Sequence, residues 1–166
     1  MSHQWSWRAR LCTVALLAVV IGGAGCASKP PKPEKAWLTV AAQPDVNPDA
    51  SGRPSPIVLR VYQLKDDAAF RDADFFAIFD KEQATLAASL VGRQEFELGP
   101  GEQHRLDYAL SGDTKFIAAV AAFRDIRNAE WRVLAGAPKK GVKNVVKRHT
   151  VSVTVDKSRV TLAVAD

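Results

Sequence analysis

Apolar and polar side chains alternate with a period of two along most of the chain beyond residue 36. In 36–42, Leu38, Val40 and Ala42 fall on one face. In 94–98, Gln94, Phe96 and Leu98 alternate with Glu95 and Glu97. In 103–110, His104, Leu106, Tyr108 and Leu110 alternate with Gln103, Arg105 and Asp107. The pattern returns near the C-terminus, with Val151, Val153 and Val155 in 150–156 and Val160, Leu162 and Val164 in 159–165. Each stretch predicts a strand with one dry and one wet face. Asp156-Lys157-Ser158 closes the last two into a hairpin. Ile57–Tyr62 and Phe116–Phe123 are nearly continuous apolar runs, which fits central strands buried on both sides. Trp131, Val133 and Ala135 predict a further strand after a turn at Asp125–Asn128.

The stretch Asp66–Leu90 breaks the alternation. It is rich in alanine and poor in β-branched residues. Asp80 with Gln83 three residues later has the form of a capping box. Ala84, Leu86, Ala87 and Leu90 follow at helical spacing, with Gly92 ending the run. Phe70, Ala73, Phe75, Phe76 and Phe79 predict a short preceding helix whose phenylalanines pack on the sheets. About eight strands with one helical insert make a mainly β protein, a two-sheet antiparallel β-sandwich.

The N-terminus has a different character. Arg8 and Arg10 precede an uncharged apolar stretch, 11–21, and Gly22, Gly23, Ala24 and Gly25 lead to Cys26. A basic start, an apolar stretch and a small-residue cleavage site describe a secretory signal peptide. Small residues ending at a cysteine resemble a bacterial lipobox, although Gly23 stands where leucine is commonest. The resemblance implies cleavage before Cys26 and acylation of that cysteine. Ala27, where aspartate would retain a lipoprotein at the inner membrane, implies the outer membrane. The competing reading is an uncleaved anchor: residues 11–28 carry no charge, near the lower length limit of a span, but they end in glycines. The expected organisation is 1–25 signal peptide, 26–35 lipidated cysteine and Pro/Lys tether, and 36–166 sandwich domain. Three prolines and three lysines in 27–35 make an extended spacer.

The only cysteines are Cys12 and Cys26. The mature domain would therefore have neither a disulfide nor a free thiol, which excludes cysteine catalysis and zinc–thiolate sites. Net charge is +5 for the chain and +3 once Arg8 and Arg10 leave, too mild a balance to argue for nucleic acid. His104 lies on the apolar face of its strand and reads as a core or rim histidine. His149 lies in a basic run and is expected to be exposed. No catalytic cluster and no metal set is visible in the spacing. Asp45-Val46-Asn47-Pro48-Asp49 starts like a calcium loop, but Ala50 replaces the required glycine and Pro56 the required glutamate. Lys139, Lys140, Lys143, Lys147 and Arg148 form a basic cluster: a solvated loop, or a contact for acidic headgroups or a partner.

The connection 43–56 is long for two strands and holds Pro44, Pro48, Pro54 and Pro56. Long ordered loops are often functional. Prolines restrict the free loop, so less entropy is lost when it docks. The alternative is an ordinary crossing loop in which Asn47, Asp49 and Ser51 hold turns.

Taken in order, several segments resemble a known family. They are Cys26, then Asn47-Pro48-Asp49 with Gly52-Arg53-Pro54-Ser55-Pro56, Val58-Leu59-Arg60-Val61-Tyr62-Gln63-Leu64-Lys65, Phe70–Phe76, Leu98-Gly99-Pro100-Gly101, Val120-Ala121-Ala122-Phe123-Arg124 and Trp131-Arg132. Over 26–166 the chain resembles TssJ, the outer-membrane lipoprotein of the type VI secretion system. The resemblance implies a transthyretin-like sandwich, no enzymatic activity, no cofactor and no metal. It implies a periplasmic place beneath the outer membrane. The implied partner is the C-terminal periplasmic region of the inner-membrane protein TssM, and through it TssL. In the family the loop between the first two strands contributes to TssM binding. That loop is 43–56 here, and Asn47, Pro48, Asp49, Gly52, Arg53 and Ser55 are the candidate contacts. A carrier holding a small ligand between its sheets is the alternative, and a lipid-anchored hydrolase a third reading.

Overall fold

The computed structural model describes residues 33–138 and 148–165. The signal segment, Cys26 and the cluster members Lys139, Lys140, Lys143 and Lys147 lie outside the described residues. Eight strands form: β1 (Glu34–Ala42), β2 (Ile57–Leu64), β3 (Leu90–Leu98), β4 (Gln103–Leu110), β5 (Phe116–Ala121), β6 (Arg132–Gly136), β7 (His149–Val155) and β8 (Val160–Ala165). They make two four-stranded sheets, in the orders β4-β1-β7-β8 and β3-β2-β5-β6. Pairing is antiparallel except between β1 and β7, which run parallel. The fold class is the two-sheet sandwich that the alternation predicts.

The dry face of each strand meets its counterpart across the sandwich. Leu38 and Val40 of β1 and Val151 and Val153 of β7 pack with Leu59 and Val61 of β2 and Ile117 and Ala119 of β5, all at most 1% exposed. Burying each such Leu, Ile or Val side chain contributes about 1.5–3 kcal/mol. The space between the sheets is therefore filled by side chains.

β2 and β5 are buried on their second face as well, because the helical insert covers it. The insert comprises three short helices, α1 (Ala68–Asp72), α2 (Phe75–Asp80) and α3 (Glu82–Leu86). Phe70, Ile78 and Leu86 pack with Tyr62 and Leu64 of β2 and Ala118 and Val120 of β5. Phe75 stacks on Phe79 at 5.0 Å and meets Trp131 edge-on at 5.4 Å. Phe76 instead points outward, 61% exposed.

The helix start differs from the expected one. Asp74, not Asp80, caps a helix: its Oδ1 accepts the Ala77 amide at 2.8 Å. Starting α2 there turns Ile78 inward and leaves Asp80 as its last residue. The helical run also stops sooner, since Leu90 pairs with Leu64 and Gly92 with Gln63 as part of β3. Ladder bonds to a buried β2 outweigh the weak local helix preference of this short stretch.

Candidate functional site

The loop 43–56 leaves β1 at its C-terminal end, after Ala42. Val46 plugs it into the core at 0% exposure. Its amide closes a turn on Gln43 O at 3.1 Å, and its carbonyl accepts the Ser55 amide at 3.1 Å. Asn47 then takes a left-handed conformation, φ 47°, which asparagine tolerates better than most residues. Its buried side chain is a two-way tie. Nδ2 donates to Pro56 O at 2.9 Å, and Oδ1 accepts the Arg124 amide at 2.8 Å, 77 residues away in sequence.

Asp49 organises the tip. Its Oδ1 accepts the Ser51 and Arg53 amides at 2.8 and 3.0 Å, and Oδ2 faces the Arg53 guanidinium at 2.8–2.9 Å. The Arg53 amide bond, ahead of all other contributions, lowers the Asp49 carboxyl below its ordinary value. Gly52, at φ 78°, makes the turn that returns Arg53 to Asp49. The Arg53 side chain remains 80% exposed despite its pairing.

Two other loops converge on this end. The turn after β5 is fixed by the Asn47 bond and by Phe123, which enters the core. The β7–β8 hairpin is held by Asp156, whose Oδ1 accepts the Ser158 and Arg159 amides at 3.2 and 2.9 Å. Glu130 joins these two loops: its amide donates to Ser158 O at 2.8 Å, and its carboxylate meets Arg159 at 2.8 Å. Between the three lies an open groove of about 540 Å³. Asn47, Pro48, Asp49 and Ala50 line one wall, Phe123, Arg124, Asp125 and Ala129 another, and Lys157 and Ser158 a third. Its chemistry is an apolar floor under a rim of mixed charge, suited to holding a polypeptide segment.

The six loop residues named from the sequence thus divide. Asn47 and Ser55 are buried and shape the loop. Pro48 and Asp49 are half-buried on the groove wall. Gly52 and Arg53 are exposed at the outer tip, away from the groove lining. Arg124, Asp125, Lys157 and Ser158 join the same surface. No spacing rule relates them to residues 43–56, although the hairpin prediction already placed Lys157 at a turn.

Other polar anchors also escaped the alternation. Gln63, 7% exposed, links the two sheets: Nε2 donates to Ala109 O at 2.9 Å, and Oε1 accepts the Ser111 amide at 2.9 Å and the Thr114 hydroxyl at 2.8 Å. Arg60 stacks 3.8 Å from the Phe79 ring centroid and pairs with Glu95 at 2.6 Å. Arg132 donates to the carbonyls of Phe70 and Ala73 at 2.9 and 2.7 Å. The two arginines latch the insert to its sheet.

One of the two described histidines differs from expectation. His149 is buried at 6%, with Nε2 3.5 Å from Glu34 Oε2, because pairing with Ala36 turns it to the dry side. His104 is a rim residue, about half exposed and 2.8 Å from Glu102. Among the described residues, no group of three His, Cys, Asp or Glu side chains could hold a metal ion.

Comparison with known proteins gives concordant results. A family model described as "Type VI secretion lipoprotein, VasD, EvfM, TssJ" matches residues 34–164. The crystal structure of the type VI lipoprotein TssJ1 from Pseudomonas aeruginosa is 34% identical, with a TM-score of 0.72 over 81% of this chain and 98% of that one. A chain in a structure of a type VI membrane complex is 28% identical, TM-score 0.66, over 78% and 98%. A chain in a structure of the TssM C-terminal domain from EAEC is 26% identical, TM-score 0.62, over 78% and 98%. No curated protein sequence matches.

Proposed function

From the premise that this chain belongs to the TssJ/VasD family of type VI secretion lipoproteins, we propose that it ties the secretion membrane complex to the outer membrane. As a member of that family it is a structural lipoprotein and not an enzyme. In the proposed arrangement the signal peptide 1–25 is removed and Cys26 carries the lipid. The tether 26–35 then hangs the sandwich on the periplasmic face of the outer membrane. The 43–56 loop binds the periplasmic C-terminal region of TssM, which connects to TssL. Several acyl chains, at roughly 0.8 kcal/mol per buried methylene, give a stable anchor.

The observation that carries this reading is the match over 34–164 to the lipoprotein family. Likeness to chains in structures of a type VI membrane complex and of a TssM C-terminal domain supports the choice of partner. The order of the loop adds a physical reason: a segment already held by Asn47 and Asp49 loses little entropy on docking. The carrier alternative would need a pocket between the sheets, where Leu38, Leu59, Val61 and Val151 pack at 0% exposure.

Calorimetric titration of the mature chain with the periplasmic region of its TssM tests the partner. Binding at micromolar affinity or better, lost when 45–54 is shortened with the fold intact by circular dichroism, supports role and site together. Binding that survives moves the site elsewhere on the sandwich. No binding by the intact chain sinks the assignment. For the anchor, Cys26→Ser should release the protein from the membrane fraction.

A further inference from the structure

The outer face of the β4-β1-β7-β8 sheet is not covered by the insert, and its chemistry changes along the strands. Toward the groove end its outward positions on β1, β7 and β8 are alanine, serine and threonine, such as Ala41, Ser152 and Thr154. At the end where β1 begins, the same face carries Lys35, Trp37, Arg105 and Arg148. The Arg105 and Arg148 guanidinium carbons lie 4.8 and 4.7 Å from the Trp37 ring centroid. Asp107, 2.9 Å from Arg148, is the one acid among the described outward positions of this sheet. Three cations against one acid leave the patch positive.

We propose that this face is a membrane-contact surface, at which Lys35, Arg105 and Arg148 bind anionic lipid headgroups and Trp37 lies at headgroup level. The bilayer is the one that holds the chain's own lipid, so the proposal rests on acylation of Cys26. The length of the intervening chain argues for this occupant. Lys35 follows Cys26 by nine residues, which reach at most about 32 Å when fully extended. That length bounds how far the patch can stand from the bilayer and keeps it within reach of the headgroups. Its composition fits as well: tryptophan is enriched at bilayer interfaces, and basic side chains near an anionic leaflet are attracted to it. Stacked on the indole, the guanidinium groups are preorganised while their N–H edges remain able to meet phosphates. The groove lies beyond the far end of β1, and Trp37 to Ala42 alone is about 17 Å at the usual strand rise. One molecule can thus hold lipid at one end and a protein partner at the other.

Reconstitution of the mature lipoprotein tests this directly. After signal removal its tryptophans are Trp37 and Trp131, so W131F reports on Trp37 alone. The W131F protein is inserted by its anchor into phosphatidylcholine vesicles containing a headgroup-nitroxide lipid, with or without phosphatidylglycerol. The expected result is stronger quenching of Trp37 with phosphatidylglycerol, reversed by high salt and reduced in R105Q/R148Q. Each cation removed should weaken the contact about fivefold. Should W131F fold poorly, the wild-type signal minus that of W37F gives the same reading. Flotation with vesicles but no phosphatidylglycerol-dependent quenching overturns the contact surface and leaves the anchor standing. Failure to float removes the anchor, and the proposal with it. If quenching is absent and R105Q/R148Q loses co-sedimentation with peptidoglycan, the occupant is the cell wall and the membrane proposal is wrong.

Discussion

The 43–56 loop and the 66–89 insert both leave the same strand, β2, one at each of its ends, yet different forces order them. The insert brings its own apolar surface: Phe70, Ile78 and Leu86 are at most 1% exposed, and Arg60 and Arg132 add polar latches. The loop sends only Val46 into the core. Its shape depends on two side chains, Asn47 and Asp49, each bonding to several backbone groups. Apolar area is spread over many contacts and tolerates small changes. A few directed hydrogen bonds fix a backbone more sharply, and one substitution can undo them. A region that presents backbone and polar groups to a partner gains from the second kind of order.

The largest expected effect falls on the insert. Phe70→Ala should cost about 3–5 kcal/mol of global stability by urea unfolding, while the protein that remains folded binds TssM normally. Loss of binding at full occupancy of the fold would mean that the two regions are coupled.

Next comes Asn47→Ala, which leaves the Arg124 amide and the Pro56 carbonyl without their side-chain partner and strains a left-handed backbone. We expect a loss of about 2–3 kcal/mol, with weaker TssM binding. Asn47→Gly should recover the backbone part and not the hydrogen bonds. A near-neutral result for both would break the comparison, because the loop would then be ordered by something other than this residue.

Acid should separate the regions more gently. The Asp49 carboxyl is lowered from its ordinary 3.8, first by the Arg53 amide. Its contribution is therefore fully present above that ordinary value and disappears as the pH falls through the lowered folded value. Amide NMR shifts of Ser51 and Arg53 should move in that acid window, while that of Ser89 in the insert, bonded to the Leu86 carbonyl and to no carboxylate, holds still. Simultaneous change in both would point to global unfolding instead.

Arg53→Ala should have the smallest effect on folding, within about 0.5 kcal/mol, as expected for an exposed side chain. Calorimetry would then show whether the exposed guanidinium touches TssM. An unchanged affinity would assign Arg53 to tip geometry alone.

Most of the strands were legible from alternation, because half-buried strands carry their environment in every second residue. The failures have local causes. Asp80 had the form of a cap, but Asp74 lay one residue before Phe75 and took the role. Leu90 and Gly92 fitted the end of a helix until β2 offered them ladder partners. His149 was misread because a basic neighbourhood in sequence says nothing about which way a strand residue points. Half of the candidate groove was visible as a proline-rich loop. The other half, Arg124, Asp125 and Lys157, belongs to turns whose proximity depends on how β5 and β7 are placed.

The sequence by itself determined the sandwich class and the apolar face of each strand, and it supplied the expectation of export and lipidation and the loop on which to look for a partner. Those features are encoded by neighbours a few residues apart, through periodicity, proline content and small-residue spacing. Tertiary structure alone decided that Asn47 would be a buried tie to Arg124. It also decided that Gln63 would bridge the sheets, and that Trp37 would lie between Arg105 and Arg148. Each is a directed contact between segments distant in the chain, and a directed contact exists only once packing has fixed the distance and angle of both partners.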